Sequence, residues 1–237
     1  MTDTTPWLLV SDIDDTFLGD DRATERLIRL AAENKVPIAL NSSRPWASVR
    51  PTLEGRGPWR PAATITAMGT QVRVGDQDDP DWARRFGSWS REPFDKLASE
   101  RGWTPHDPIM QTPYKASFAI PEHADHERVQ QVIRGVGPAM IVISGHCDLD
   151  ILPPDAGKGT ATLYLASQLG VPLDRVVVAG DSANDRAMFD IALKGVVVGN
   201  AREELRQHID PARVHIAQKN FAAGIIEGLI AYGALCA

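Results

Sequence analysis

The sequence predicts an α/β protein with a parallel sheet at its centre and a smaller α+β domain inserted into the chain. Short apolar runs that end in polar residues alternate with helical patterns in both the first and the last third of the chain. An acidic, turn-rich stretch near residues 75–81 separates the first of these regions from a second β–α–β pattern. With 237 residues, the chain is long enough for one large domain or two moderate ones.

The composition is that of an ordinary globular protein and excludes several classes of partner. Hydrophobic residues make up 43% and charged residues 24% of the chain, and the net charge of −6 offers no basic surface for nucleic acid or anionic membranes. Residues 1–6 lack the basic and apolar regions of a signal peptide, and no apolar run is long enough to span a bilayer. Cys147 and Cys236 have no metal or redox spacing, so we expect a reducing, cytoplasmic environment.

The first strand is predicted at residues 8–10, and it is followed at once by carboxylates. Asp12, Asp14 and Asp15 lie within four residues of one another, at the carboxyl end of a strand, where open α/β sheets bind their ligands. Such a group is best tolerated around a cation, with one aspartate free to act as nucleophile and another as acid or base. The alternative is a polar turn with a capping aspartate.

The second strand is predicted at residues 38–40, after an amphipathic helix over residues 22–34. It ends at Ser42, Ser43 and Arg44, and Pro45 suits the first turn of a following helix. Backbone N–H groups at a helix start, together with a hydroxyl and a guanidinium, can bind phosphate. A serine in this place is more commonly a simple helix cap, so this signal is weak alone.

The middle of the chain is predicted to be the inserted domain, residues 76–154. A third core strand at 62–67 precedes it and ends near Thr70 and Gln71. Within the insert, strands are predicted at 114–120, 139–144 and 149–152, and helices at 82–101, interrupted by Pro93, and at 126–134. Residues 1–75 and 155–237 then form the core domain.

The last third of the chain returns to the core pattern and brings a second group of acids. Lys158 lies near the start of a helix over 160–169, where a cation opposes the helix dipole, so it either pairs with carboxylates and phosphate or is a solvated loop residue. A strand at 175–179 ends in Asp181, Asn184 and Asp185. Two strands that each end in acids fit one metal site better than coincidence. A further strand at 195–198 and helices at 201–208 and 221–235 complete the core.

Taken together, these segments resemble the four motifs of the haloacid dehalogenase (HAD) superfamily of phosphatases. The matching segments are Asp12-Ile13-Asp14-Asp15-Thr16, Ser42, Lys158 and Gly180-Asp181-Ser182-Ala183-Asn184-Asp185. Their order and strand placement agree over essentially the whole chain. The resemblance implies a Rossmann-like core, and because only a helix and a strand fit between Asp14 and Ser42, the cap domain must follow Ser42, as in the type II cap branch.

The resemblance also implies roles for individual residues and a cofactor. Asp12 is the expected nucleophile and Asp14 the acid and base, while Ser42 and Lys158 hold the phosphoryl oxygens. Mg²⁺ is expected on the carboxylates of Asp12 and Asp181 and on the backbone carbonyl of Asp14. Asn184 and Asp185 are expected to orient these groups from outside the ligand set.

Within the type II cap branch the chain looks like the sucrose-phosphate phosphatase group. The segments that carry this likeness are Gly69-Thr70, Tyr114-Lys115-Ala116-Ser117-Phe118, Asp148-Leu149-Asp150-Ile151-Leu152-Pro153 and Gly157-Lys158-Gly159. The group commonly has Thr-Gly-Arg where this chain has Ser42-Ser43-Arg44, so Ser43 is a departure that could alter the pocket floor.

The expected substrate is a disaccharide phosphate such as sucrose 6-phosphate, and mannosylfructose phosphate or another sugar or polyol phosphate is the alternative. A phosphotransferase or mutase and a non-catalytic phosphate-binding regulator are the rival functions. The expected substrate contacts are Ser42, Ser43, Arg44, Thr70, Gln71, Lys115, Asp148 and Asp150. Trp46 could stack on a sugar ring or pack in the core. We expect a monomer or weak dimer, with a sugar-phosphate synthase as a further partner.

Overall fold

A computed structural model describes residues 6–236. Residues 1–5, which make up most of the N-terminal segment compared above with a signal peptide, lie outside the described residues. Within 6–236, none of the helices combines the length and the apolar character needed to cross a membrane. The strands are β1 (Leu8–Ser11), β2 (Ile38–Asn41), β3 (Ala63–Thr66), β4 (Gln71–Val74), β5 (Gln77–Asp78), β6 (Thr104–Pro105), β7 (Ala116–Ala119), β8 (Met140–Ser144), β9 (Asp148–Leu152), β10 (Val176–Gly180), β11 (Lys194–Val197) and β12 (Val214–Ile216).

The helices connect these strands in the alternating order expected of an α/β fold. They are α1 (Asp21–Glu33), α2 (Trp46–Glu54), α3 (Pro80–Arg84), α4 (Glu92–Arg101), α5 (His126–Val136), α6 (Lys158–Gln168), α7 (Arg186–Ile191), α8 (Glu203–Arg206) and α9 (Phe221–Ala231). Pro93 lies in the first turn of α4, where its missing N–H costs no helical hydrogen bond. The single helix expected over 82–101 is therefore two helices, and the proline starts the second one.

The larger sheet has the strand order β12-β11-β10-β1-β2-β3-β4-β5. Six of its strands, from β12 to β3, are parallel, and β4 and β5 add an antiparallel edge. Strand β1 lies at the centre between β10 and β2, so the carboxyl ends of these three strands are neighbours. The predicted parallel α/β core is confirmed.

Two apolar clusters cover the two faces of the larger sheet. Leu8 and Val10 face one cluster, and Leu9 faces the other, as the two-residue period of a strand requires. The side chains of all three are fully buried. Because both faces are covered, the strands are continuous apolar runs, which is why they could be recognised in the sequence.

The smaller sheet has the order β6-β7-β9-β8 and is antiparallel throughout. One of its faces packs on α4 and α5 in a third apolar cluster that contains Phe94, Phe118 and Ile133. The other face carries polar side chains, among them Lys115, Ser117 and Asp150, that line a cavity together with core residues. This smaller domain is called the cap domain below.

The core extends further along the chain than the expected boundary at residue 75. Strand β5 pairs with β4 in the larger sheet, and Trp82 and Phe86 are buried in a core cluster. The indole N–H of Trp82 donates a hydrogen bond to the backbone oxygen of Gly69, and its ring packs on Tyr164. The turn-rich composition of 75–81 therefore marks a hairpin of the core rather than the start of the cap domain.

The chain returns from the cap domain to the core through a close contact of two glycines. Gly69 and Gly157 both have positive φ, of +88° and +120°. A Cβ at Gly69 would lie 2.3 Å from the backbone oxygen of Gly157. Only glycines permit this approach, and it places Lys158, the next residue, at the start of α6 beside the ends of β1 and β10.

Candidate active site

The strand ends of β1 and β10 bring buried acids together at the centre of the larger sheet. Asp12 follows β1, Asp181 and Asp185 follow β10, and the exposed fractions of the three residues are 6%, 4% and 0%. One carboxylate oxygen from each lies within 4.8 Å of the others. The backbone N–H of Asp12 donates to the oxygen of Ala179 at 2.9 Å, which continues the pairing of the two strands into the site.

Lys158 is the cation of this cluster, and it is 1% exposed. Its Nζ donates to Asp12 Oδ1 at 2.6 Å, to Asp185 Oδ1 at 2.6 Å and to Asn184 Oδ1 at 2.9 Å. The lysine thus links the ends of three separate chain segments. The sequence allowed Lys158 either to pair with carboxylates or to be a solvated loop residue. In the structure it pairs with carboxylates.

The backbone around Lys158 is held by the neighbouring strand β2. The amide of Asn41, which is fully buried, donates to the backbone oxygen of Lys158 at 3.1 Å and to the hydroxyl of Thr162 at 3.2 Å. Thr162 in turn donates to the Lys158 oxygen at 2.7 Å. These contacts orient the first turn of α6 and, with it, the lysine side chain.

Asp185 uses both of its oxygens within the protein. Oδ1 accepts from Lys158, and Oδ2 accepts from the backbone N–H groups of Asp181 and Ser182 at 3.0 and 3.2 Å. Asp181 accepts fewer hydrogen bonds than Asp185. Its Oδ1 accepts from Thr16 at 3.2 Å, and its Oδ2 lies 3.9 Å from Nε of Arg202. Asp185 is therefore placed to orient its neighbours, and Asp181 keeps lone pairs free.

The cluster carries more negative charge than it can neutralise. Burial, and then the charge of Asp185, raise the pKa of Asp12 well above its usual value, although Lys158 opposes the rise. Burial and Asp185 also raise the pKa of Asp181, to about 6. Burial would lower the pKa of Lys158, but Asp12 and Asp185 together raise it, so the lysine stays protonated.

Three ionised carboxylates and one ammonium group leave two negative charges uncompensated, so the donor set fits a divalent cation. Carboxylate oxygens are the ligands that hard divalent cations prefer. Asp12 and Asp181, both expected as ligands, are in the cluster that could hold the ion, whereas Asp185 was expected outside the ligand set. Its two oxygens are already engaged by other groups, which is consistent with that expectation. The backbone carbonyl of Asp14 as a ligand stays a prediction.

The carboxylate of Asp14 is not one of the three in this cluster and pairs with Arg44. Nη1 of Arg44 lies 3.0 and 3.3 Å from the two carboxylate oxygens. The guanidinium is itself fixed on α2 by the hydroxyl and the backbone oxygen of Ser48 and by the hydroxyl of Thr52, at 3.0, 2.6 and 3.4 Å. The turn that carries Asp14 leaves helical geometry at Asp14 and at Asp15, where φ is +59°. Arg44 thus fixes the position of the Asp14 carboxylate.

The residues expected to contact substrate from the core fall into two groups. Ser42 is buried, and its hydroxyl accepts from the backbone N–H of Arg44 at 3.1 Å, while Ser43 lines the cavity between the domains. Thr70 and Gln71 do not line that cavity. The Thr70 hydroxyl donates to the oxygen of Ala67, and the Gln71 amide oxygen accepts from Trp46 and Thr66 inside the core. A contact of Thr70 or Gln71 with substrate stays a prediction, and in this structure the Thr70 hydroxyl and the Gln71 amide oxygen have partners within the core.

The cap residues Lys115, Asp148 and Asp150 all line the cavity, which has a volume of about 290 Å³. This is at the small end of the range for small-molecule sites. Its core side includes Ser43, Asn184 and Arg202. Trp46 does not line this cavity, and the guanidinium of Arg73 lies 4.5 Å from the centre of its ring. Trp46 therefore packs against the core, which is one of the two roles expected for it.

The polar cavity-lining residues that were not predicted as site residues include His106 and Arg202. His106 follows the two-residue strand β6, which is too short to show a period, and Arg202 lies in an exposed loop before α8. Neither belongs to a recognisable motif. Only the register of the cap sheet and the folding of the core bring them to the cavity.

The chain resembles known proteins over nearly its whole length. The family model described as sucrose-6F-phosphate phosphohydrolase matches residues 5–233. Mannosylfructose-phosphate phosphatase from Agrobacterium fabrum is 33% identical over 95% of this chain and 96% of its own length. Sucrose-phosphatase 1 from Nicotiana tabacum is 31% identical over 94% of this chain, which spans only 58% of that relative.

A solved structure has the same fold. The sucrose-phosphatase from Synechocystis sp. PCC6803, determined in complex with sucrose and phosphate, superposes with a TM-score of 0.87. The two are 29% identical, and the match covers 96% of this chain and 98% of the other. The inserted cap domain and the core are therefore shared as one architecture, and the resemblance stated from the sequence motifs is confirmed.

Proposed function

The chain belongs to the sucrose-6F-phosphate phosphohydrolase family within the HAD superfamily and is a sugar-phosphate phosphatase, and we propose that its substrate is a disaccharide phosphate. Sucrose 6-phosphate is the first choice, since the family model and the tobacco relative carry that activity in their names. Mannosylfructose phosphate is the second, because the Agrobacterium relative is 33% identical over almost the full chain.

The observation that carries the mechanism is the position of Lys158 between Asp12 and Asp185, with Asp181 beside them. Asp12 is the proposed nucleophile: one oxygen is held by Lys158, and the other attacks phosphorus. The bond between phosphorus and the sugar oxygen breaks, and an aspartyl-phosphate forms. Lys158 and Ser42 hold the phosphoryl oxygens and stabilise their charge.

Asp14 is the proposed acid and base. It donates a proton to the departing sugar oxygen, then takes one from the water that attacks the phosphoenzyme, and free phosphate and Asp12 result. Arg44 holds the Asp14 carboxylate through its contact at 3.0 Å while the carboxylate changes its protonation state. Mg²⁺ is the proposed cation, and when bound it offsets the charge of the carboxylates and of the phosphate.

Specificity for the sugar is assigned to the cap domain, with Lys115, Asp148 and Asp150 as contacts, and to Ser43 on the core side. We place the enzyme in the cytoplasm, since Cys147 and Cys236 are both free. We further propose that it works as a monomer or weak dimer that receives its substrate from a sugar-phosphate synthase.

The test is phosphate release from a panel of sugar phosphates. The panel contains sucrose 6-phosphate, mannosylfructose phosphate, glucose 6-phosphate, fructose 6-phosphate and p-nitrophenyl phosphate, each with Mg²⁺ and with EDTA. We expect the highest kcat/KM on a disaccharide phosphate and no turnover in EDTA. A higher kcat/KM on the monosaccharide phosphates would contradict the disaccharide assignment and leave the phosphatase assignment intact.

A further inference from the structure

The turn that follows β1 has a backbone conformation that needs support from the rest of the core. Asp15 has a φ of +59°, in the left-handed region that residues other than glycine rarely adopt. A residue in this region carries a conformational cost, so it keeps the conformation only where surrounding contacts hold it. Asp14 directly precedes Asp15, and a change of the backbone at Asp15 therefore also displaces Asp14.

The side chain of Asn200, in the loop after β11, bonds directly to this turn. Its Nδ2 donates to the backbone oxygen of Asp15 at 2.7 Å. Its Oδ1 accepts from the backbone N–H of Phe221, the first residue of α9, at 2.8 Å. One partner is an acceptor and the other a donor, so only one orientation of the amide satisfies both. Asn200 thus links the turn to the start of α9.

Helix α9 is a fixed support for this link. Ile225 and Leu229 of α9 are fully buried, in the apolar cluster that also contains Ile13 and Phe17 from the two ends of the turn. The exposed residue Asp15 is therefore held, through Asn200, by an element that is anchored in the core.

Asp14 is thereby held at two points. Its carboxylate is held by Arg44 of α2, at 3.0 and 3.3 Å, and the backbone that follows it is held by Asn200. On the far side of Asp15, Thr16 donates to Asp181 and ties the turn to the acidic cluster. Asn200 itself does not line the cavity between the domains, so its contact with the turn is the route by which it can act on Asp14.

We propose that Asn200 is a positioning residue for phosphoryl transfer. It holds the left-handed turn at Asp15 and so keeps Asp14 where it can protonate the departing sugar oxygen. The inference rests on the proposed function, in which Asp14 is the acid, and deepens it by naming the residue that fixes the backbone of that acid.

The dependence of the rate on the leaving group distinguishes this role from a structural one. The quantity kcat/KM covers the steps up to cleavage of the bond between phosphorus and the leaving oxygen. A sugar oxygen needs a proton to depart, whereas p-nitrophenolate departs without one. A displaced Asp14 therefore lowers kcat/KM for a sugar phosphate much more than for p-nitrophenyl phosphate. A general disturbance of the fold or of the acidic cluster lowers both.

The experiment compares Asn200→Ala and Asn200→Asp with the unmodified enzyme. Aspartate can still accept from the N–H of Phe221 and so support the start of α9, but it cannot donate to Asp15. The quantity measured is the ratio of kcat/KM for the sugar phosphate that the unmodified enzyme uses best to kcat/KM for p-nitrophenyl phosphate. We expect each substitution to lower this ratio about tenfold, the effect of losing one hydrogen bond that holds the turn.

Asn34→Ala is the matched control. The Asn34 amide also joins two backbone groups, since it donates to the oxygen of Leu30 at 2.9 Å and accepts from the N–H of Cys236 at 3.0 Å. It follows α1, at the edge of the sheet where β2 begins, opposite the candidate active site. This substitution should lower the Tm and leave the ratio unchanged.

A further comparison uses Asp14→Asn, alone and combined with Asn200→Asp. If Asn200 acts through Asp14, the second substitution should lower the ratio less than about twofold in a protein that already lacks the acid. A tenfold further loss, an unchanged ratio in the single Asn200 variants, or equal losses on both substrates would overturn the inference. If Asp14→Asn itself leaves the ratio unchanged, Asp14 is not the acid, and the proposed mechanism fails together with the inference. Asn200→Asp decides the matter if Asn200→Ala does not fold.

Discussion

Replacing Asp181 by asparagine should have opposite effects on the metal-free protein and on the protein in Mg²⁺. Asp181 is 4% exposed and has a pKa of about 6 in place of the ordinary 3.8, because burial and the charge of Asp185 disfavour its ionised form. Asparagine has nearly the same shape and can still accept the hydrogen bond from Thr16. The substitution therefore removes a buried charge without removing a packing contact.

The magnitude follows from the pKa. A rise from 3.8 to about 6, at about 1.4 kcal/mol for each pH unit, costs the native state about 3 kcal/mol at pH 8, where Asp181 must be ionised. The sign follows from proton binding, since the folded protein binds this proton more tightly than the unfolded chain. The stability contribution is fully present below pH 3.8 and is lost as the pH rises through about 6.

Thermal unfolding in EDTA measures the effect. We expect Asp181→Asn to raise the free energy of unfolding by up to about 3 kcal/mol at pH 8 and by about half as much at pH 5. A protein of this size changes its Tm by roughly 2–4 °C for each kcal/mol, so the increase at pH 8 should be several degrees. Addition of Mg²⁺ should raise the Tm of the unmodified protein and not that of the variant.

A matched control is Asp190→Asn, which removes an exposed carboxylate from α7. It should change neither the Tm in EDTA nor the response to Mg²⁺. A variant Asp181→Asn that is less stable than the unmodified protein in EDTA, or that keeps its full stabilisation by Mg²⁺, would refute the charge argument for the cluster.

Three further predictions concern turnover. Asp12→Asn should lower kcat by several orders of magnitude on every substrate, and near-normal turnover would remove the nucleophile assignment. Arg44→Gln should lower kcat about tenfold on a sugar phosphate and less on p-nitrophenyl phosphate, because Asp14 protonates only the poorer leaving group; equal losses would speak against its positioning role. Lys115→Met should raise KM for the sugar phosphate more than for p-nitrophenyl phosphate. Loss of stability is also expected, since Asp150 loses its buried partner, and rescue of folding by the double variant with Asp150→Asn would show that the unpaired charge is the cause.

The candidate site illustrates where local patterns are sufficient. The acids after β1 and β10 could be assigned to one site because parallel strands have their carboxyl ends at one edge. Lys158 was left open between two roles, since a lysine between glycines can be solvated. Its burial and its contacts with Asp12 and Asp185 depend on the docking of α6, which no local pattern describes.

Local patterns are insufficient where the protein itself supplies hydrogen-bond partners for a polar side chain. Thr70 and Gln71 are predicted to contact substrate from their place after a strand; in the structure their partners are Ala67 and Trp46, and the substrate contact stays a prediction. Composition was also insufficient to place the domain boundary, which was expected at residue 75. Acidic and turn residues are common to hairpins and linkers, and only the pairing of β5 with β4 distinguishes the two.

By itself, the sequence determined the α/β class, the inserted cap domain, the family and the acids at the strand ends. These features have periods of two or 3.6 residues or are short contiguous motifs, so residues that are close together in the sequence are sufficient to identify them. Only the tertiary structure decided that Arg44 holds Asp14, that Asp185 has no free oxygen, and that Asn200 reaches Asp15. Each of these depends on distances between distant segments, which strand register and domain packing set and which no local pattern contains.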